Sequence, residues 1–178
     1  MFSNINELFI ISDTHFNHSR IAAYCDRPKD WQDLIISNWN ETVNDNDSIL
    51  HLGDFSFGLK ENVQKIFDSL KGKKYLLRGN HDYRHSINWW KTIGFDVINR
   101  FYEDIDGYRF YFSHKPMQEN EKITKSVNIF GHWHNKSDFI CKHGDKIYIN
   151  VSVEQIDYRP VKVNFLVEKV NEMFLSFK

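Results

Sequence analysis

Short, largely apolar runs recur along the chain, and several lead directly into polar residues. Leu8-Phe9-Ile10-Ile11 runs into Ser12-Asp13-Thr14-His15, Ser48 to Leu52 into Gly53-Asp54, and Tyr75-Leu76-Leu77 into Arg78-Gly79-Asn80-His81-Asp82. Apolar runs of this length with little alternation predict strands buried on both faces. Between the first two, Trp31, Leu34, Ile35, Trp39 and Val43 recur at a helical period, with Asp30 placed to cap the N-terminus. Between the next two, Val63, Ile66, Phe67 and Leu70 predict a helix over 62–70 that stops near Gly72. The first half therefore reads β-α-β-α-β. In the second half, two aromatic-rich runs, 101–105 and 108–113, flank Asp106-Gly107, a hairpin signal. Residues 127–130, 146–153 and 161–170 follow as strand-like runs with little helical material between them. Parallel crossovers early and antiparallel strands late predict a mixed α/β fold of two packed sheets with outer helices.

Composition narrows the class without naming a function. A length of 178 residues predicts one domain, 1–178, with aromatics at 16% supplying a sizeable core. With 23 basic against 24 acidic residues the net charge is −1, which argues against a nucleic-acid coat, a polybasic membrane anchor or an acidic tail. Cys25 and Cys141 are too few and too far apart for a disulfide framework or a thiolate zinc site, so a cytoplasmic location is expected. No run approaches the roughly 20 apolar residues that span a bilayer, and residues 1–7 lack the features of a signal peptide. The one unusual entry is nine histidines without a His run.

The histidines gain meaning from where they fall. Asp13 and His15, Asp54, Asn80 and His81, His114, and His132 and His134 follow predicted strands, and open α/β sheets bind ligands at the carboxyl ends of strands. His81 apart, these are carboxylates, imidazoles and one amide carbonyl, a donor set suited to borderline or hard divalent ions. Seven such side chains exceed what one four-coordinate zinc needs, but serve two ions if one carboxylate bridges.

In order, Asp13-Thr-His15, Gly53-Asp54, Gly79-Asn80-His81-Asp82, His114 and Gly131-His132-Trp-His134 resemble the five motifs of the calcineurin-like metallophosphoesterases. The 26 positions separating Asp54 from Asn80 are similar to the family's usual span. The resemblance covers residues 13–134, and the opening Ser12-Asp-Thr-His-Phe-Asn-His18 with Tyr24-Cys-Asp-Arg-Pro28 is similar to a branch of small predicted phosphoesterases. It implies the metallophosphoesterase fold, a four-layer αββα sandwich of two mixed β-sheets flanked by helices. It also implies two divalent metal ions, manganese being expected and iron, nickel or zinc the alternatives. Asp13, His15, Asp54 and His134 would hold one ion, and Asp54, Asn80, His114 and His132 the other, with Asp54 as the bridge. Gly53, Gly79 and Gly131 would let the backbone pass close to the ions. His81 would face substrate and assist the leaving oxygen, and Asp82 would orient it. Water activated by the ions would attack phosphorus in line, without a covalent intermediate.

Other residues receive weaker assignments. His18, in the loop after the first motif, and the cations Arg20, Arg27 and Lys115, close in sequence to motif residues, are candidates for substrate contact, as is Arg78. His51 reads as a core or supporting residue, and His85 and His143 as loop residues. Trp133 and the Trp89-Trp90 pair read as packing residues, and no basic aromatic stripe marks a nucleic-acid groove. The expected substrate is a small phosphoester, first a phosphodiester of nucleotide type, with a phosphomonoester as the alternative. A nuclease and a non-catalytic interaction scaffold are the remaining readings.

Overall fold

The computed structural model describes residues 2, 4–118 and 125–175. Two five-stranded sheets carry the fold. In the first, β1 (Phe9–Ile11), β2 (Ser48–His51), β3 (Lys73–Leu77) and β4 (Asp96–Ile98) run parallel in sequence order, and β10 (Val161–Lys162) pairs antiparallel on the far side of β1. In the second, the order is β5 (Phe101–Ile105), β6 (Tyr108–Phe112), β7 (Ser126–Phe130), β9 (Lys146–Asn150), β8 (Ile140–His143). Its two edge pairings are antiparallel, and β6, β7 and β9 run parallel. Both sheets are mixed and flanked by helices, as the resemblance implied. They meet where β1 and β9 end: Ser12 N–H donates to Val151 O (3.0 Å) and Val153 N–H to Ser12 O (3.1 Å).

Local sequence explains most elements. Phe9, Ile10 and Ile11 are all buried, as a central strand requires. Helix α2 (Trp31–Thr42) buries Trp31, Ile35, Asn38 and Trp39 along one face. Asp30 does precede it, but its side chain makes no capping bond. Helix α3 (Lys60–Ser69) begins two residues before the expected start, and the 101–113 hairpin is present in register, Ile105 opposite Tyr108.

The clearest departure lies at 161–170, where the β-branched valines suggested one long strand. Only Val161–Lys162 is strand, and α5 (Val163–Leu175) follows. Val163, Leu166, Val167 and Val170 are buried at spacings of three, four and seven, a helical stripe that core burial favours over propensity. The second half thus holds more helix than expected. Three further short elements, α1 (Ile21–Cys25), α4 (Ile87–Ile93) and β4, lie within stretches that carried no periodic signal, and β8 is a half-buried edge. In α4, Trp90 is buried and its Nε1–H donates to Asp82 O (3.0 Å), so this tryptophan packs and also holds a site loop.

Candidate metal centre

The motif residues converge because each follows the C-terminal end of a parallel strand: Asp13 and His15 after β1, Asp54 after β2, Asn80 to Asp82 after β3, His114 after β6, and His132 and His134 after β7. Five of them leave their strands with left-handed backbone: Asp13 (φ 59°), His15 (51°), Asp54 (58°), His132 (70°) and His134 (49°). Such a conformation costs an L-residue about 1–2 kcal/mol, and it persists where surrounding bonds over-determine it. Those bonds are present. Asp13 N–H donates to Gly53 O (3.0 Å), His15 N–H to Asp54 O (2.9 Å) and Phe16 N–H to Phe55 O (3.0 Å), zipping the first two loops together. The His134 carbonyl accepts from Asn150 Nδ2 (2.9 Å) and Gln155 Nε2 (3.1 Å).

The side chains form two donor groups. Asp13, His15 and His134 make one, and Asp54, His114 and His132 the other, with candidate ligand atoms in each within 4.8 Å of one another. Asp54 Oδ2 lies 3.6 Å from His15 Nε2 and 3.4 Å from His114 Nε2, so one carboxylate faces both groups. Asn80 Oδ1 joins the second group, 3.0 Å from His114 Nε2.

The hydrogen bonds test whether cations fit. The His114 Nδ1–H donates to Leu52 O (2.9 Å), so in the neutral ring Nε2 turns a lone pair toward the oxygens of Asn80 and Asp54. The Glu154 carboxylate likewise accepts from His134 Nδ1–H (3.0 Å), leaving Nε2 facing Asp13 Oδ1 at 3.8 Å. Asp13 Oδ2 accepts from His132 N–H (2.7 Å) and Ser152 Oγ–H (3.1 Å), but Oδ1 has no partner, and neither ring nitrogen of His15 has one. Buried acceptors that converge without donors are costly, and divalent cations would satisfy them. The residues therefore fit metal ions.

Electrostatics agrees. Burial pulls the His114 imidazole down, but the Asp54 bond and the Asp13 and Asp54 charges outweigh it and push it up to about 9. His134 is pushed up to about 10 against burial by its Cys25 and Glu154 bonds and the Asp13 charge. Asp13 and Asp54 are held low despite burial by the surrounding histidines. The pocket favours positive charge beside these carboxylates.

Close packing explains two glycines. A Cβ at Gly131 would collide with the Asp13 carboxylate and the Ser12 hydroxyl, and one at Gly79 with the carboxylate and amide of Asp54. Both permit close approach of the backbone to the Asp13 and Asp54 side chains.

His81 sits on the open side of the centre, its side chain 38% exposed and Nε2 3.9 Å from Asp54 Oδ2. Burial lowers its pKa, with the Asp54 charge opposing. Asp82 does not orient it: the buried Asp82 carboxylate instead accepts from the backbone N–H groups of Asp54 (2.6 Å), Gly79 (2.8 Å) and Phe55 (3.1 Å). With its oxygens turned to these donors, Asp82 fixes the Asp54 and Gly79 turns. Burial and the Asp54 charge push its carboxyl up to about 7 against these three bonds. His18 stacks on Phe57 and lies 5.6 Å, ring to ring, from His15. Lys115 is exposed beside His114, and Arg20 is exposed just before α1. Arg27 points inward: it is buried and donates to Thr14 O (2.8 Å), Asp13 O (2.7 Å) and Glu154 Oε1 (2.8 Å), buttressing the first loop from beneath.

Glu154 and Ser152 carry no motif signature, yet they hold His134 and Asp13. The available signal was position: β9 ends at Asn150 beside β7, so its following loop occupies the same rim as the motifs.

Comparison with known proteins follows this geometry. A family model described as calcineurin-like phosphoesterase matches residues 7–176. An uncharacterised protein of Methanocaldococcus jannaschii is 31% identical over 179 aligned positions, which cover 95% of this chain and 94% of that protein. A crystal structure of a protein of unknown function from Aquifex aeolicus is 26% identical, covers 92% of this chain and 98% of its own, and superposes with a TM-score of 0.72. A phosphoesterase from E. coli shares the fold at 15% identity, with 88% and 81% coverage and a TM-score of 0.50.

Proposed function

The chain belongs to the calcineurin-like phosphoesterase family, and from that premise we propose that it hydrolyses a phosphodiester of a small, nucleotide-type substrate at a two-metal centre. The coarser statement, hydrolysis of phosphoric esters, follows from membership. For the finer one, Asp13, His15, Asp54 and His134 would hold one divalent ion, and Asp54, Asn80, His114 and His132 the second. Manganese is the first choice. The observation that carries this reading is the Asp54 carboxylate facing both donor groups, 3.6 Å from His15 and 3.4 Å from His114. Such ions, when bound, would supply positive charge to phosphoryl oxygens and acidify water.

The chain's own residues do the rest. Asp54 and Asp13 fix the donor geometry, and Glu154 and Leu52 O hold His134 and His114 in the tautomer that offers Nε2. Burial lowers the His81 pKa in the free protein, and the negative charge of an arriving phosphate would favour its imidazolium. It then protonates the leaving oxygen, so that diester and water become monoester and alcohol. Asn80 and His81 lie on the accessible side, which leaves room for the second ester arm and supports a diester over a monoester. Cys25 and Cys141 are both free, and we place the enzyme in the reducing cytoplasm. Assays with bis(p-nitrophenyl) phosphate and p-nitrophenyl phosphate in added manganese test the preference. Faster turnover of the diester is expected, and turnover of the monoester alone would replace the reading with a phosphomonoesterase.

A further inference from the structure

Beside the centre lies a cavity of about 470 Å³ whose wall includes His114, Lys115, Arg78, Arg100 and Tyr83, with no carboxylate among the described residues that line it. Its cations are disposed unlike several others on the molecule. Arg27, Arg109 and Arg159 are each paired with a carboxylate, as are Lys162 and Lys169. Among the described residues, the side chains of Lys115 and Arg100 make no hydrogen bond or ion pair, and both residues are exposed. Arg78 is pre-set rather than neutralised: its guanidinium lies 4.2 Å over the Tyr83 ring and donates once, Nη1–H to His85 O (3.3 Å). A guanidinium has five N–H donors, so most remain available. Gathering like charges around one concavity in a chain of net charge −1 has no benefit to the fold, because each cation repels the others. An anion in the cavity removes that cost, and arginine forks match phosphate oxygens.

We propose that this cavity is a second phosphate subsite, which selects phosphoesters carrying another phosphate besides the one hydrolysed. The inference rests on the phosphoester reading above for the placement of the first phosphate. Because His114 belongs both to the metal centre and to the cavity wall, a substrate with its reacting phosphate at the metals extends its second phosphate toward Arg78, Arg100 and Lys115. The substrate class is therefore a nucleotide-type phosphodiester that carries a further, terminal phosphate, such as a 5′-phosphorylated dinucleotide, rather than a simple diester.

Calorimetric titration of the manganese-loaded protein with adenosine 3′,5′-bisphosphate and with adenosine 5′-monophosphate tests this. The bisphosphate should bind roughly tenfold or more tightly, the gain of charge-assisted hydrogen bonds to one more phosphate. In the double variant Arg100→Gln/Lys115→Gln the two affinities should converge to within about threefold of each other. Raising the salt concentration on the unmodified protein should narrow the gap in the same direction, a measurement that needs no variant. Equal affinities in the unmodified protein, or a preference that survives both the double substitution and salt, would overturn the subsite. A protein that prefers the bisphosphate yet hydrolyses no phosphoester with any divalent ion would keep the subsite and sink the hydrolytic reading. A working diesterase without the preference would do the reverse.

Discussion

Mild acid should loosen the Asp54 turn through His51, a residue that holds no ligand. Thr14 Oγ–H donates to Phe55 O (2.7 Å), so it accepts from His51 Nε2–H (3.0 Å), and His51 Nδ1 accepts from Gly53 N–H (3.1 Å). These bonds fix the neutral Nε2–H tautomer. A proton on Nδ1 would set two donors face to face beneath the Gly53-Asp54 turn. Burial holds the ring down at about 3, against the charges of Asp13 and Asp54, compared with an ordinary value of 6.5. The folded pKa lies below the unfolded one, so the contribution to stability is full above pH 6.5 and is lost as pH falls toward 3. At 1.36 kcal/mol per pH unit below 6.5, the step from pH 7 to pH 5 removes about 2 kcal/mol. His51→Asn offers Gly53 a non-titrating acceptor, and comparing the two proteins cancels the other groups. Urea denaturation at both pH values should show the unmodified protein losing about 2 kcal/mol more than the variant. Equal losses would refute the assignment of a buried neutral imidazole to this turn.

Four further variants test the site. Asp54→Asn should abolish hydrolysis and lower bound metal, whereas His81→Ala should keep the metal and lose roughly 10²–10⁴ in turnover; intact turnover in the second variant would remove His81 from the mechanism. Gly131→Ala drives a Cβ into the Asp13 carboxylate and Ser12 hydroxyl, so it should cost about 1–3 kcal/mol of stability and weaken metal retention, and an unchanged melting temperature would contradict the packing described. Glu154→Gln removes the carboxylate that holds His134 Nδ1–H and Arg27, and chelator competition should show a metal affinity roughly 10–100-fold lower; unchanged affinity would assign Glu154 to the fold alone.

Sequence was a good guide wherever a local pattern had a single physical solution. The runs before Asp13, Asp54 and Asn80 are buried parallel strands, and placing polar residues after such strands brings them to one rim. The helix at 163–175 was obscured because valines satisfy a strand by propensity and a helix by spacing, and only burial of Val163, Leu166, Val167 and Val170 decides between them. Asp82 was misread for a related reason: adjacency to His81 suggested a side-chain pair, but its carboxylate turns to three backbone N–H groups from two loops. Glu154 and Arg27 were illegible as a pair because 127 positions separate them. The left-handed backbone at five motif positions is written in residue type only after the fact, since aspartate, asparagine and histidine tolerate it better than most.

The sharing of Asp54 between two divalent ions is tested most directly by manganese titration of the metal-free protein. About two equivalents per chain are expected, with binding at both sites weakened in Asp54→Asn. A single equivalent, or two retained with full affinity in that variant, would contradict a shared carboxylate.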